Sequence, residues 1–318
     1  MTPERVASGV DVGGTTIKFG LVREDGALPD QRSRSTNADL GPGAVLDRIA
    51  EGILPMLREH QSRVAGIGIG VPGVINDRGE ISYPPNFPGW GVVPVALELR
   101  PRLGTDLPIA VENDANVAAY AEAHAGSGSS SFLYITLGTG VGGCIIHEGR
   151  IWRGGFGGAG EAGHISIDMN GQLCNCGSRG CVEAYIGQRY MSALAASRLE
   201  REPDSLLHAM IAAGEELTPR LLDEAATAGD RFCREFLAEM GEILGAALAS
   251  ALNLCDMHLV IVGGGMSHAE KYLLEPTRES LRRRALKSIA PHAELRTARF
   301  MNDAGMIGAG LMGLTTGD

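Results

Sequence analysis

Between positions 161 and 183 the chain reads EAGHISIDMNGQLCNCGSRGCVE, which gathers a histidine, three cysteines and two glutamates into one short segment. His164 precedes Cys174 by ten positions, and Cys174, Cys176 and Cys181 follow as C-x-C-x4-C, with Gly171, Gly177 and Gly180 allowing tight turns. Three thiolates and one imidazole at this spacing suit a tetrahedral zinc ion, and a shell closed without water makes the ion structural. A disulfide is the weaker competitor, because Cys174 and Cys176 stand too close to pair comfortably and the N-terminal MTPERVASGVDVGG carries no export signal. Zinc has no use for Glu161 and Glu183, so both carboxylates are candidates for gripping a ligand. A metal-bound histidine uses one ring nitrogen, and the N–H of the other stays available to a polar partner such as a ligand hydroxyl.

A second set of residues suits phosphate. In DVGGTTIK, from Asp11 to Lys18, the turn Gly13-Gly14-Thr15 can bring backbone N–H groups to an anion without side chains in the way, and Thr15 and Thr16 add hydroxyls. Gly138-Thr139-Gly140 offers a comparable turn, so two hairpins could clasp a polyphosphate from both sides. No Walker sequence is present, and no G-x-G-x-x-G stands between a strand and a helix, so the P-loop and Rossmann readings do not apply. Asp11, at a strand end beside the first turn, is placed to hold Mg²⁺ directly or through water. Asp114 admits two readings: the N-cap of the helix that follows, or a general base kept ionised at that helix's positive end. Asn113 beside it can donate and accept, as recognition of a hydroxyl requires.

The elements that position these groups follow from periodicity. Residues 6–23 form two strands joined by the first glycine turn. A helix over 44–59 sets Leu46, Ile49, Ile53 and Leu57 on one face, with Pro55 bending it. Residues 64–71, VAGIGIGV, form a buried strand ending at Pro72-Gly73, and the proline-rich YPPNFPGW over 83–90 is a loop over a cleft. The strand Ile109 to Glu112 delivers Asn113 and Asp114 to an alanine-rich helix reaching about His124, with GSGSSS as a loop beyond it. Residues 132–146 repeat the strand, glycine turn, strand design, so two lobes share one plan. The span 187–255 is largely helical, with Phe232, Phe236, Met240, Ile243, Ala247, Leu248, Ala251 and Leu252 as a core stripe. The strand Leu259 to Val262 runs into Gly263-Gly264-Gly265 before a helix from near Ser267 or His268. Glycines in the helical pattern DAGMIGAGLMG cost about 1 kcal/mol each against alanine, so close packing must offset them.

A chain of 318 residues with 44% hydrophobic content can bury a sizeable core in two domains. Lys plus Arg number 28 against 38 for Asp plus Glu, a net charge of -10, which argues against nonspecific binding to nucleic acid or anionic lipid and is compatible with a small neutral substrate. The longest apolar run, Ile243 to Leu252, is too short to cross a bilayer, and a cytoplasmic protein is expected. Cys144, Cys233 and Cys255 are scattered in apolar surroundings and read as core.

Taken together, DVGGTTIK, ENDAN, GTGVGG, GEAGH and CNCGSRGCVE resemble the ROK family of sugar kinases, repressors and open reading frames, most closely its bacterial glucokinases. The resemblance runs from about Asp11 to the glycine-rich last helix. It implies a two-lobed α/β fold of the actin-like, hexokinase-like (ribonuclease H-like) ATPase type with a cleft between lobes. One lobe would span 1–114 and be joined by a C-terminal helix at 301–318, and a larger lobe would span 115–300 with the zinc loop 161–183; a homodimer is common. The implied activity is ATP-dependent phosphorylation of a hexose 6-hydroxyl, glucose first, with N-acetylmannosamine or N-acetylglucosamine as the alternative acceptor.

By position, Asp114 would match the family's catalytic base. Asn113, Asp114, Glu161, His164 and Glu183 would grip sugar hydroxyls, and His164, Cys174, Cys176 and Cys181 would bind zinc. Asp11, Gly13, Gly14, Thr15, Lys18, Gly138, Thr139 and Gly140 would hold the phosphates with Mg²⁺, and Gly263, Gly264 and Gly265 would lie near the adenosine part of ATP. Ala162 departs from the bulkier residue of many members, which bears on pocket shape, and the C-x-C-G-x-x-G-C cluster departs from the family's fructokinases. The family's repressors carry a DNA-binding helix-turn-helix before the core, for which ten residues before Asp11 leave no room. A noncatalytic sugar sensor would have no need of Asp114.

Overall fold

Alternating small and branched residues at the start of the chain produce β1 (Val6–Val12), buried along its length except at Asp11, and β2 (Thr16–Arg23), antiparallel to it with Val12 opposite Ile17. The structure, a computed structural model, describes residues 5–60, 63–76, 78–82, 84 and 87–316. β3 (Asp30–Ser35) follows, then α1 (Pro42–His60), in which Leu46, Ile49, Ile53 and Leu57 are buried as the periodicity requires. Next come β4 (Val64–Val71), the short β5 (Val74–Ile75), β6 (Glu80–Ser82) and β7 (Val92–Pro94), α2 (Val95–Leu103) and β8 (Ile109–Asn113). The loop expected at 83–90 falls partly outside the described residues; Phe87 and Trp90 within it are buried edge to face, ring centroids 5.1 Å apart.

The alanine-rich helix α3 (Asp114–Ala121) stops short of His124, because residues 122–126 open into a wider π turn. β9 (Phe132–Leu137) and β10 (Val141–His147) flank the second glycine turn, and β11 (Arg150–Ile151) folds back on β10. The helices α4 (Glu183–Ile186), α5 (Gln188–Leu199), α6 (Leu207–Ala212), α7 (Pro219–Ala228) and α8 (Arg231–Cys255) fill the expected helical span. β12 (Leu259–Gly263), α9 (Glu275–Arg284), β13 (Glu294–Thr297) and α10 (Ala304–Thr315) complete the chain. The helix expected from Ser267 or His268 is instead a 3₁₀ turn over Gly265–His268 and a π turn over Glu270–Leu274. α9 starts later, with Pro276 in its first turn, where a missing N–H costs nothing.

The two large sheets have the same plan. One runs β3-β2-β1-β4-β8 and the other β11-β10-β9-β12-β13, each an antiparallel set followed by two parallel strands. The repeated glycine turn seen in the sequence thus marks a repeated topology. The chain divides into two compact units, residues 1–131, 144–160 and 299–318 in the first, and 132–143 and 161–298 in the second. This differs from the expected boundary at 114: α3 belongs with the first unit because it packs on α10, with Val117 O directly against Gly308.

α10 also explains its own glycines. Gly9 on β1 and Gly68 on β4 face it, and a Cβ at either would run into helix backbone at Met306 or Ala309. Close approach of backbone to backbone over this surface offsets the helix-propensity cost. In the second unit α8 carries Phe232, Phe236, Met240, Leu244, Leu248 and Leu252 into the core beside α9, while Ile243 is only partly buried. At 25 residues α8 is longer than the apolar run within it and is long and apolar enough to cross a bilayer. However, 56% of its most apolar window is buried inside the protein, as a core helix requires.

Candidate active site

In the first unit, the parallel strands β1, β4 and β8 end in one row. Asp11 on β1 stands opposite Gly70 on β4, and Gly70 opposite Glu112 on β8; on the other side Asp11 faces Lys18. Burial pushes the Asp11 carboxyl up to about 6, and the Asp114 charge pushes it the same way while Lys18 opposes. Lys18 Nζ donates to Asn302 O at 2.6 Å. The turn Gly13-Gly14-Thr15 is closed by Gly13 N to Thr16 O, 3.0 Å, and braced by Thr36, whose Oγ1 donates to Gly13 O at 2.6 Å.

The N-cap of α3 is Asn113, which corrects the reading of Asp114 as the cap. Asn113 Oδ1 accepts from Ala115 N at 2.9 Å and Asn116 N at 3.1 Å, and its Nδ2 donates to Gly73 O at 2.9 Å. Asp114 is the first helical residue, and its Oδ1 accepts from Ala115 N at 2.8 Å. Burial raises the Asp114 carboxyl above the usual carboxylate range, while the Ala115 N–H and Asn113 pull it back. A half-buried carboxylate that the helix's positive end keeps ionised, while desolvation raises its proton affinity, is suited to act as a general base.

In the second unit His164, Cys174, Cys176 and Cys181 converge: their ligand atoms all lie within 4.8 Å of one another. Cys174 Sγ is 3.8 Å from His164 Nδ1, and Cys176 Sγ is 3.6 Å from Cys181 Sγ. Bonds of about 2.3 Å to a tetrahedral zinc would place sulfurs roughly 3.8 Å apart, so the cluster fits that ion. Nδ1 is the nitrogen on the cluster side, which leaves Nε2 for a second partner. Gly177 and Gly180, at φ +89° and +68°, supply the turns, and all six cysteines are free thiols.

Glu183, the first residue of α4, joins this cluster to the second glycine turn. Its Oε1 lies 3.7 Å from Cys174 Sγ, and its Oε2 accepts from Val141 N at 3.0 Å, directly after Gly138-Thr139-Gly140. The turn closes through Gly138 N to Gly140 O at 3.0 Å, and Gly138 O accepts from Gln188 N at 3.0 Å. Glu161 begins the 3₁₀ turn over Ala162–His164, and its carbonyl accepts from His164 N at 3.0 Å. Gly263 ends β12, and Gly264, at φ +83°, lies against the Leu137 backbone at the end of β9, where a side chain would collide. The expected residues thus fall into one set on each unit: Asp11, Gly13, Gly14, Thr15, Lys18, Asn113 and Asp114 on the first, and the others on the second.

Residues 7–315 match the sequence profile of the ROK family. The chain belongs to that family. A glucokinase of Halalkalibacterium halodurans is 38% identical over 95% of this chain and 93% of its own length, and an N-acetylmannosamine kinase of Escherichia coli is 32% identical over 95% and 96%. Among solved structures, a ROK family glucokinase from Streptomyces griseus in complex with glucose and AMPPNP superposes with a TM-score of 0.84 at 34% identity, covering 97% of this chain and 99% of that one. The fold of this ROK protein is accordingly the two-lobed α/β, actin-like type.

Two residues of this ROK protein escape a reading of the sequence. Glu112, which looks like the end of a strand, is 2% exposed and accepts from Asn113 N at 2.8 Å and Asn116 Nδ2 at 2.9 Å through Oε1. Its Oε2 pairs with Arg153, from the glycine-rich stretch before Glu161. A buried glutamate one residue before the cap was the available signal, but its partner lies too far along the chain to be inferred from spacing.

Proposed function

We propose that this chain is an ATP-dependent sugar kinase that moves the γ-phosphoryl group to the 6-hydroxyl of glucose. The observation that carries the reading is Asp114: a half-buried carboxylate in the first turn of α3, where Asn113 and not Asp114 is the N-cap, within electrostatic reach of Asp11. Asp114 accepts the hydroxyl proton, and the oxygen attacks the γ-phosphorus as its bond to the β,γ-bridging oxygen breaks. Asp11 would hold Mg²⁺, which when bound neutralises charge on the phosphates. Gly13, Gly14, Thr15 and Lys18, and Gly138, Thr139 and Gly140, would present donors to phosphate oxygens. Gly263, Gly264 and Gly265 lie along the adenosine.

Asn113, Glu161, His164 and Glu183 hold sugar hydroxyls in this reading. His164, Cys174, Cys176 and Cys181 would bind a structural zinc, supported by the fit of their separations to a tetrahedral shell, and His164 Nε2 is then left to face the sugar. Glucose is favoured over N-acetylmannosamine by the higher identity to the glucokinase, 38% against 32%. We place the enzyme in the cytoplasm, where free thiols are kept reduced, as a homodimer of two-lobed subunits.

Asp114→Asn tests the mechanism. Asn keeps the size and the hydrogen bond but takes no proton, and the cap on Asn113 is untouched. Calorimetry should show glucose binding within a few-fold of wild type while kcat falls about 10²–10⁴-fold. A variant within a few-fold of wild-type kcat would remove Asp114 from the mechanism.

A further inference from the structure

We propose that Arg153 is a positioning residue for the phosphoryl transfer, acting through Glu112 on the turn that carries Asp114. The inference rests on the reading of Asp114 as the base. Glu112 is the hub: Oε1 accepts from Asn113 N and Asn116 Nδ2, on either side of Asp114, and the Arg153 guanidinium lies against Oε2 as an ion pair without hydrogen-bond geometry. With Glu112 at 2% exposure, Arg153 is the one cation paired with it among the described residues. A buried carboxylate deprived of its cation takes up a proton or draws in water, and either change loosens its grip on the two donors. Asn113, released on one side, also supports the Ala115 and Asn116 amides and the Gly73 carbonyl, so the error propagates to the backbone at Asp114.

Arg153 has a second attachment. It opens the stretch RGGFGGAG that ends at Gly160, directly before Glu161. Arg153 O accepts from Ala159 N at 3.2 Å, and Gly160 is packed on the Cys144 backbone, where an added Cβ would lie 2.9 Å from Cα. Arg153 therefore joins the strand end leading to the base, through its guanidinium, to the loop that begins at its own backbone. Its solvent side is open: Arg153 lines a cavity of about 510 Å³ together with Tyr120, His124, Arg150 and Met312, and its side chain is 40% exposed. A small cation can reach Glu112 by that route once the side chain is removed.

The test is Arg153→Ala in the full chain, assayed with Mg-ATP and glucose, with and without guanidinium chloride at millimolar, non-denaturing concentration. The expected result is a fall in kcat of about 10- to 100-fold, the scale of a catalytic group misplaced by about 1 Å. KM for ATP should stay within about threefold. Guanidinium should restore at least about a third of the lost log kcat with saturable dependence, and sodium at the same ionic strength should not. Arg153→Lys should fall between wild type and Arg153→Ala. If Arg153→Ala does not fold, Glu112→Gln and Glu112→Gln/Arg153→Ala keep the test open: without the buried charge, removing the arginine should change kcat less than about twofold.

Overturning results are a folded Arg153→Ala within twofold of wild-type kcat, no guanidinium rescue of a folded variant, or an undiminished arginine effect in the Glu112→Gln background. Asp114→Asn run in parallel separates the two claims, since wild-type turnover in that variant sinks the base assignment whatever Arg153 does.

Discussion

Glu112 and Asp114 lie two positions apart, and their surroundings give them different tasks. Glu112 has Arg153 and two donors and is fixed; Asp114 has neutral donors only, backbone N–H groups and the Asn113 side chain, and desolvation raises its affinity for a proton. Asp11 makes the same point with a value, since burial and the Asp114 charge bring it to about 6. A raised carboxyl means the folded protein holds the proton more tightly than the unfolded chain. Stability from this group is thus fully present below about pH 4 and is lost as pH rises through about 6. Asp11→Asn should therefore stabilise the protein by roughly 1–3 kcal/mol more at pH 7.5 than at pH 4 in metal-free buffer, measured by urea unfolding at both values. Equal effects at the two values would contradict the shift. The sequence shows Asp11 and Asp114 as chemistry because each sits where a strand ends. It does not show which residue caps α3, since Asn and Asp serve that purpose equally well.

At the scale of elements, the convergence of His164, Cys174, Cys176 and Cys181 was legible because these residues lie close in sequence and need only local turns. Its attachment was less so. Tyr190 on α5 accepts from Asn175 N at 2.9 Å, and Tyr185 packs with Cys174, Cys181 and Ala184, contacts that depend on where α4 and α5 run. Cys176 is exposed, so Cys176→Ala opens no core cavity and tests the metal alone. The expected outcome is loss of about one zinc per chain by elemental analysis and a rise in glucose Kd of about 10-fold or more, with nucleotide Kd changed less than about threefold. Comparable losses for both ligands would show that the loop supports the whole unit through Glu183 and Val141 instead. The start of α9 was misplaced for a physical reason: turns over 265–274 precede Pro276, and residue patterns distinguish such turns poorly from a first helical turn.

At the scale of the whole molecule, the paired glycine hairpins at 13–15 and 138–140 signalled two copies of one sheet plan, and the strand orders bear this out. The unit boundary was not legible, because it depends on α10, the last element of the chain, packing on α3 and taking it into the first unit. Acceptor choice is a property of the assembled enzyme. A 2-acetamido group needs its own space, and rejecting it is worth a difference in kcat/KM rather than a change of mechanism. The most direct measurement offers the protein equimolar glucose, N-acetylmannosamine and N-acetylglucosamine with limiting Mg-ATP, and reads the phosphorylated sugars by mass spectrometry and the position of the phosphate by ³¹P NMR. Glucose 6-phosphate should be the main product. A dominant acetylated product would contradict the choice of glucose, and consumption of ATP without any sugar phosphate would contradict the kinase.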